Sequence, residues 1–379
     1  MIVRPIWLKQ FERAWEKRPL IWLSGVRRSG KTTLCKMLPD AVYLNCDLPS
    51  VRRQLENPEY FFRNLTPGTT LILDEIHRIN DPSLVLKIGI DEYTETSPDG
   101  VPGMKILATG SSTLTATKKF RDTLTGRKIQ VHLPPVLWNE CLDTFNLSDL
   151  ERRMLHGGLP EFLLKKNKDA DLFSEWIDSF YARDIQELFG VRNRSGFLKL
   201  MELLFIQSGG VLEITSLSKD CALSRPTVMA HIEALSAAHA IRLVEPFSSR
   251  RQHEIVKRPK VYAFDTGFVT HVQGWNEIRD TDRGLLWEHL VLDMLSVNHK
   301  AVKYWRNKEK AEIDFILPGK GNRVDTIECK INPDKYSRKA IHRFRTHYPE
   351  GENFCLSPHI KTPYKLSFGD MEVEFRSQW

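Results

Sequence analysis

A chain of 379 residues is too long for one small core and predicts two or three domains. With 41% hydrophobic and 27% charged residues it has the balance of a folded chain in water, which excludes fibrous and disordered classes, and no uncharged apolar run is long enough to span a bilayer. The formal charge of +7, crowded into 250–260, 300–310 and 330–345, favours a polyanionic partner, though weakly by itself. Cys35, Cys46, Cys141, Cys221, Cys329 and Cys355 form no CxxC pair and no zinc-type cluster with histidine, so free thiols in a reducing cytoplasm are expected. The basic N-terminus lacks an apolar core and a small-residue cleavage site, so no secretory leader is expected.

In chain order, an amphipathic helix is predicted over 5–17. Short apolar runs at 20–23, 41–44, 70–73, 105–108 and 128–133 then alternate with helix-compatible stretches. This βαβ rhythm predicts a parallel sheet covered on both faces. Residues 140–195 are helical in pattern, broken at Gly157-Gly158-Leu159-Pro160. Short helices and a basic hairpin follow to Asp265, and from Gly284 one helix leads into several strands. No internal repeat is present.

The stretch LIWLSGVRRSGKTTL (20–34) holds G-x-x-x-x-G-K-[ST] without a gap, preceded by a strand and followed by a helix. That context separates it from an ordinary glycine turn. Gly25, Arg28, Ser29, Gly30, Lys31, Thr32 and Thr33 are expected to line nucleotide phosphates, with backbone N–H groups converging on the β-phosphate. Lys31 would neutralise β/γ charge, and Thr32 would offer its hydroxyl to Mg²⁺. Leu71-Ile72-Leu73-Asp74-Glu75 is an apolar strand ending in two acids: Asp74 is expected to hold Mg²⁺, directly or through water, and Glu75 to polarise the attacking water. At the end of the 105–108 strand a polar side chain could sit between the two acids. Ser111 is the first choice, with Thr109 and Ser112 as rivals and a helix cap at Ser112 or Thr113 equally compatible. Arg127, just before the last strand, has the placement of an arginine that reaches into a neighbouring subunit's site, against the plainer reading of a surface arginine.

These stretches resemble the AAA-type ATPase core of a large prokaryotic family. That family joins the core to a winged-helix segment and a C-terminal domain of unknown function with a restriction-endonuclease-like fold. The resemblance runs through GVRRSGKTTL, LILDEIHRI, ATGSS, LTGRKIQVHLPPV, GGLPEFL, YARDI, KVYAFDTG and AEIDFIL…IECK, and departs at Pro135-Val136-Leu137-Trp138, where the family usually has a less bulky sequence.

Between Gly210 and Phe247 the pattern is helix, turn, helix, strand, with Pro226 in the first turn of the second helix and Val228, Ile232 and Leu235 as its apolar stripe. Arg225, Thr227 and His231 could face a DNA groove, while Arg250, Arg251, His253, Lys257 and Arg258 form a wing against phosphates. A protein-contacting module or a rigid spacer is the competing reading. After Gly284 the order αβββαβ is the core of the restriction-endonuclease-like fold. There Asp314 and Glu328 would share a divalent metal, Mg²⁺ or Mn²⁺, and Glu288 would complete the site from the helix. Lys330 would stabilise or deprotonate the attacking water, and Glu312 could substitute for Asp314. A solvated charge pair on an edge strand is the plainer alternative.

The expected fold class is α/β: a P-loop NTPase core of AAA/ASCE type (1–140), a helical lid or linker (141–195), a winged-helix-like segment (196–270) and a restriction-endonuclease-like domain (271–379). The expected function is ATP hydrolysis coupled to a nuclease-like module that acts on or docks to nucleic acid, DNA before RNA, in a homo-oligomer with no membrane partner. The main alternative is an ATP-dependent regulatory switch whose C-terminal domain only binds DNA or protein. A small-molecule kinase is disfavoured by the tandem acid.

Overall fold

The computed structural model describes residues 2–95, 103–110, 122–248, 258–299 and 301–379. Two compact units divide the chain: Met1–Pro134, Ser179–Gly190 and Ala237–His239 in one, Pro135–Asp178, Val191–Ser236 and Ala240–Trp379 in the other. Within the second, the bulky Val136-Leu137-Trp138 stretch is buried.

The first unit is built on β1 (Leu20–Ser24), β2 (Ala41–Asn45), β3 (Thr70–Asp74), β4 (Lys105–Thr109) and β5 (Lys128–His132), each within one residue of its expected range. All pair in parallel, in the order β2-β3-β4-β1-β5. Every residue of β1 is buried, as a strand covered on both faces requires. Helix Pro5–Trp15 buries Trp7, Phe11 and Ala14. Phe62, Leu71, Leu86 and Ile106 belong to the main core. The order has one consequence for function. Because β4 inserts between β1 and β3, the C-terminal ends of these three strands stand side by side, where ligands of parallel sheets bind.

The second unit opens with helices Leu150–His156, Pro160–Leu164 and Ala170–Phe180. Here two of the sequence motifs meet. The Asp265 carboxylate accepts from the backbone N–H groups of Gly158 and Gly267, both at 2.7 Å. Gly157 has φ +81°, and a Cβ there would fall 1.9 Å from Asp265 Oδ1, so no other residue fits. Arg153 is wholly buried; it donates to Val136 O (2.8 Å) and Thr266 Oγ1 (3.1 Å) and lies 3.8 Å from Asp293. Asp293 also pairs with Arg242 at 3.0 Å. A charge removed from water needs such partners, so GGLP and FDTG are a structural clasp.

Next come β6 (Gly210–Val211), helices Ile214–Asp220 and Arg225–Ala237, β7 (Ile241–Val244) and β8 (Lys260–Ala263), the strands forming an antiparallel sheet in the order β6-β8-β7. Val228, Ile232 and Leu235 are buried as expected. His231 is a correction: it is buried against the Phe197 ring at 5.2 Å, and burial lowers its pKa, so it faces the core and not a groove. Arg225 is exposed, and Thr227 is tied to Ser224 at 2.7 Å. Arg258 pairs with Glu213; Arg250, Arg251, His253 and Lys257 lie outside the described residues.

Helix Asp280–Asn298 leads into β9 (Lys303–Arg306), β10 (Glu312–Pro318), β11 (Val324–Cys329), helix Lys339–Arg345 and β12 (Asn353–Leu356), the anticipated element order. A hairpin that was not anticipated, β13 (Tyr364–Phe368) and β14 (Met371–Arg376), completes a sheet ordered β13-β14-β12-β11-β10-β9. All six cysteines are buried free thiols. No helix among the described residues is long and apolar enough to cross a membrane.

The clasp generates a stability prediction. Asp265→Ala strands two buried N–H groups and leaves Arg153 short of countercharge, so thermal unfolding should show a loss of about 3 kcal/mol. Gly157→Ala should cost a similar amount through the clash. Unchanged melting of either variant would show that the clasp contributes nothing.

Candidate functional site

The turn after β1 is shaped by backbone conformations that side chains oppose. Gly25 (φ 152°) has its missing Cβ only 2.5 Å from Leu133 O, Gly30 has φ 95°, and Arg28 itself adopts φ 61°. Ser29 is buried. Lys31 Nζ donates to Gly25 O (2.8 Å) and Val26 O (3.0 Å), which fixes the ammonium inside the curl of the loop. Burial lowers its pKa, against the charges of Glu75, Asp184 and Asp74. Thr32 and Thr33 are exposed in the first turn of the five-residue helix Lys31–Cys35.

Asp74, at the end of β3, is buried, with Tyr43 Oη donating to Oδ2 (2.6 Å) and Thr109 Oγ1 to Oδ1 (2.5 Å). Thr109 also accepts from Glu75 N at 3.1 Å. Thr109 thus links the Asp74 carboxylate to the backbone N–H of Glu75; Ser111 lies outside the described residues. Glu75 has φ 56°, uncommon for a non-glycine residue, and its carboxylate lies 3.2 Å from His77 Nδ1. Burial would raise its pKa, but the His77 hydrogen bond and the charges of His77, Lys31 and Arg27 outweigh burial and hold it low. A carboxylate kept ionised beside an ammonium can accept a proton from water while the cation offsets phosphate charge.

Sequence reading missed Tyr43, His77 and Asp184. Asp184 Oδ2 lies 3.4 Å from Arg27 of the phosphate loop. Its signal was present in YARDI, a stretch to which no chemistry attached. Arg127 stands at the opposite end of the sheet, before the N-terminus of β5, where it forks onto Asp91 (2.8 and 3.2 Å) and donates to Thr123 O.

In the second unit, a bulge between Ile313 and Ile316 falls at Asp314. Asp314 Oδ2 accepts from Cys329 N (2.7 Å) and lies 3.7 Å from Lys330 Nζ, which bonds Glu328 at 2.7 Å. Glu288 accepts from Tyr262 Oη and, at 3.2 Å, from Lys260, whose ammonium also meets Glu312 at 2.5 Å. Two expectations change. Burial disfavours the Lys330 ammonium, but Asp314 and Glu328 more than offset this and raise its pKa, which favours charge stabilisation over the base role. Glu312 serves Lys260 instead of standing in for Asp314. Burial and the Asp314 charge push Glu288 up to about 7 and Glu328 up to about 8. Among the described residues no three His, Cys, Asp or Glu side chains converge on a metal position. One oxygen of each carboxylate is engaged: Glu288 Oε1 by Lys260 and Tyr262, Glu328 Oε2 by Lys330, and Asp314 Oδ2 by the Cys329 N–H.

Residues 17–142 match a family model described as an AAA domain; 147–279 and 283–376 match two models described as domains of unknown function, DUF8612 and DUF4143. The chain is 25% identical over 321 residues to the uncharacterized proteins Mb2031c of Mycobacterium bovis and Rv2008c of Mycobacterium tuberculosis, spanning 81% of this chain and 69% of each of those. Similar solved structures include the Thermotoga maritima RuvB Holliday junction branch migration motor, at 16% identity and TM-score 0.31 over 64% of this chain and 89% of that one. Another is a signal transduction ATPase with a tetratricopeptide repeat sensor from Pyrococcus horikoshii, at 14% identity and TM-score 0.29 over 79% and 46%. Residues 17–142 are an AAA-type P-loop ATPase domain.

The carboxylate pair gives a pH prediction. A carboxyl whose folded pKa is raised binds its proton more tightly when folded, so its charged form opposes folding above the folded pKa and that cost vanishes as pH falls toward the unfolded value. Glu328→Gln should therefore be more stable than wild type at pH 8.5, with the advantage shrinking as pH falls through about 8 toward 5. A stability difference independent of pH would contradict the assignment.

Proposed function

We propose that this chain hydrolyses ATP and uses the nucleotide cycle to control a C-terminal module that acts on or docks to nucleic acid. The observation that carries this reading is the meeting of Lys31, Asp74, Glu75 and Thr109 at adjoining strand ends. Gly25, Arg28, Ser29, Gly30, Lys31, Thr32 and Thr33 bind the phosphates. Thr32 and Asp74 would hold Mg²⁺, which needs only one or two protein oxygens because water and phosphate fill the rest, and which would neutralise charge between the phosphates. Glu75 accepts the proton of the attacking water, and Thr109 fixes the spacing of the two acids. Arg127 is at the far end of its own sheet, so it serves a neighbouring copy by exchanging Asp91 for phosphate oxygens.

The helices and sheet of 196–270 are read as a winged helix, and 271–379 as a restriction-endonuclease-like fold, from element order alone. The basic charge favours nucleic acid as their partner, DNA before RNA. A second reading is specifically favoured by Lys260 and Lys330 holding the carboxylates. In it the module is a non-catalytic DNA- or protein-binding part of an ATP-dependent switch. DNA incubated with wild type and Asp314→Ala, with Mg²⁺ or Mn²⁺, separates the two. Metal-dependent cleavage by wild type alone supports a nuclease, and identical behaviour supports the switch.

Glu75→Gln should bind ATP with near wild-type affinity while turnover falls at least about 100-fold; normal turnover would remove Glu75 from the base role. Arg127→Ala should slow turnover without weakening binding. Wild-type specific activity should rise with protein concentration, and activity independent of concentration would contradict action on a neighbour.

A further inference from the structure

Ser179–Gly190 belongs to the nucleotide unit, although the chain on either side of it belongs to the other. At its centre is a π-helical turn, Tyr181–Gln186, a form rare in proteins and frequent at functional positions. Two ion pairs tie this segment to the site. Asp184 meets Arg27 of the phosphate loop at 3.4 Å, and Glu187 meets Arg78, three residues beyond Glu75, at 3.5 Å. The segment thus touches the loops after both β1 and β3.

Asp184 is placed among the charges that a triphosphate needs. Arg27 and Lys31 both act on it favourably, and Glu75 unfavourably. Burial pushes its carboxyl pKa up, against the pull of those two cations. An incoming triphosphate is a far denser anion competing for the same cations in the same weakly screened space. Asp184 and phosphate cannot both keep Arg27 and Lys31 at full strength.

We propose that Asp184 is a positioning residue that competes with the substrate's phosphates for Arg27 and Lys31, so that filling the nucleotide site releases the Tyr181–Gln186 turn. The inference rests on the ATP-binding reading above and adds a route out of the site: the released turn is continuous with chain on both sides that belongs to the second unit. No contact between the units is required, only the covalent connection.

The test uses the full chain, with calorimetry of ATP and ADP in Mg²⁺ and hydrogen exchange over 179–190. Asp184→Asn removes the competing charge and should tighten ATP binding about three- to tenfold, and ADP less. Asp184→Glu, which keeps the charge, should stay near wild type. ATP should raise amide exchange over 179–190 in wild type, whereas in Asp184→Asn these amides exchange quickly even without nucleotide. Glu187→Gln removes the segment's other tie without facing the phosphate-loop cations, so it should raise exchange and, because release and binding are linked, tighten ATP binding less than Asp184→Asn does. Unchanged or weaker ATP binding by folded Asp184→Asn would overturn the inference, as would wild-type exchange indifferent to ATP. That second readout stands alone if Asp184→Asn does not fold. A wild type that takes up no ATP at all would instead bring down the ATPase reading, and this inference with it.

Discussion

Lys31 bonds the carbonyl oxygens of its own loop, Gly25 and Val26, and the carboxylates of Glu75, Asp184 and Asp74 oppose the effect of burial on its charge. Such a concentration of charge, poorly screened by water, is costly unless its members compensate one another. The sheet order allows it. Strands β1, β3 and β4 end side by side only because β4 inserts between the other two, and each contributes its terminal polar residues to one small volume. Had β3 lain directly beside β1, Thr109 would not reach the Asp74 carboxylate and the Glu75 N–H.

The second unit handles buried charge differently. Arg153, Asp265 and Asp293 are held by backbone and side-chain partners, and the Asp265 geometry demands glycine at position 157. The carboxylates Glu288, Asp314 and Glu328 lie between these extremes. Glu328 is buried and the other two are half-buried, Glu288 and Glu328 have raised pKa values, and Lys260 and Lys330 hold them. The lysine ammoniums offset carboxylate charge there, which is why the binding-module reading stands beside the nuclease reading.

Much of the first unit was legible in the sequence because fully buried parallel strands are written as uninterrupted apolar runs, and the phosphate loop constrains its glycines tightly. Other features were not. Asp184 comes to Arg27 from far along the chain, inside a helical pattern with no local sign of its partner. The bulge at Asp314 leaves no signature in alternating residues. The hairpin β13–β14 was missed because Tyr364–Phe368 is mostly exposed and carries little apolar periodicity. His231 was misread although its placement was available: it follows Val228 by three residues and precedes Leu235 by four, the spacing of one helix face.

The claim on which the account rests is that Lys31 and its loop receive a nucleoside triphosphate. Titration calorimetry of the purified full chain with ATP and Mg²⁺ examines it most directly. The account predicts saturable heat at one site per chain in wild type and none in Lys31→Ala that still melts as a folded protein. Equal heats from the two proteins, or none from wild type, would contradict it.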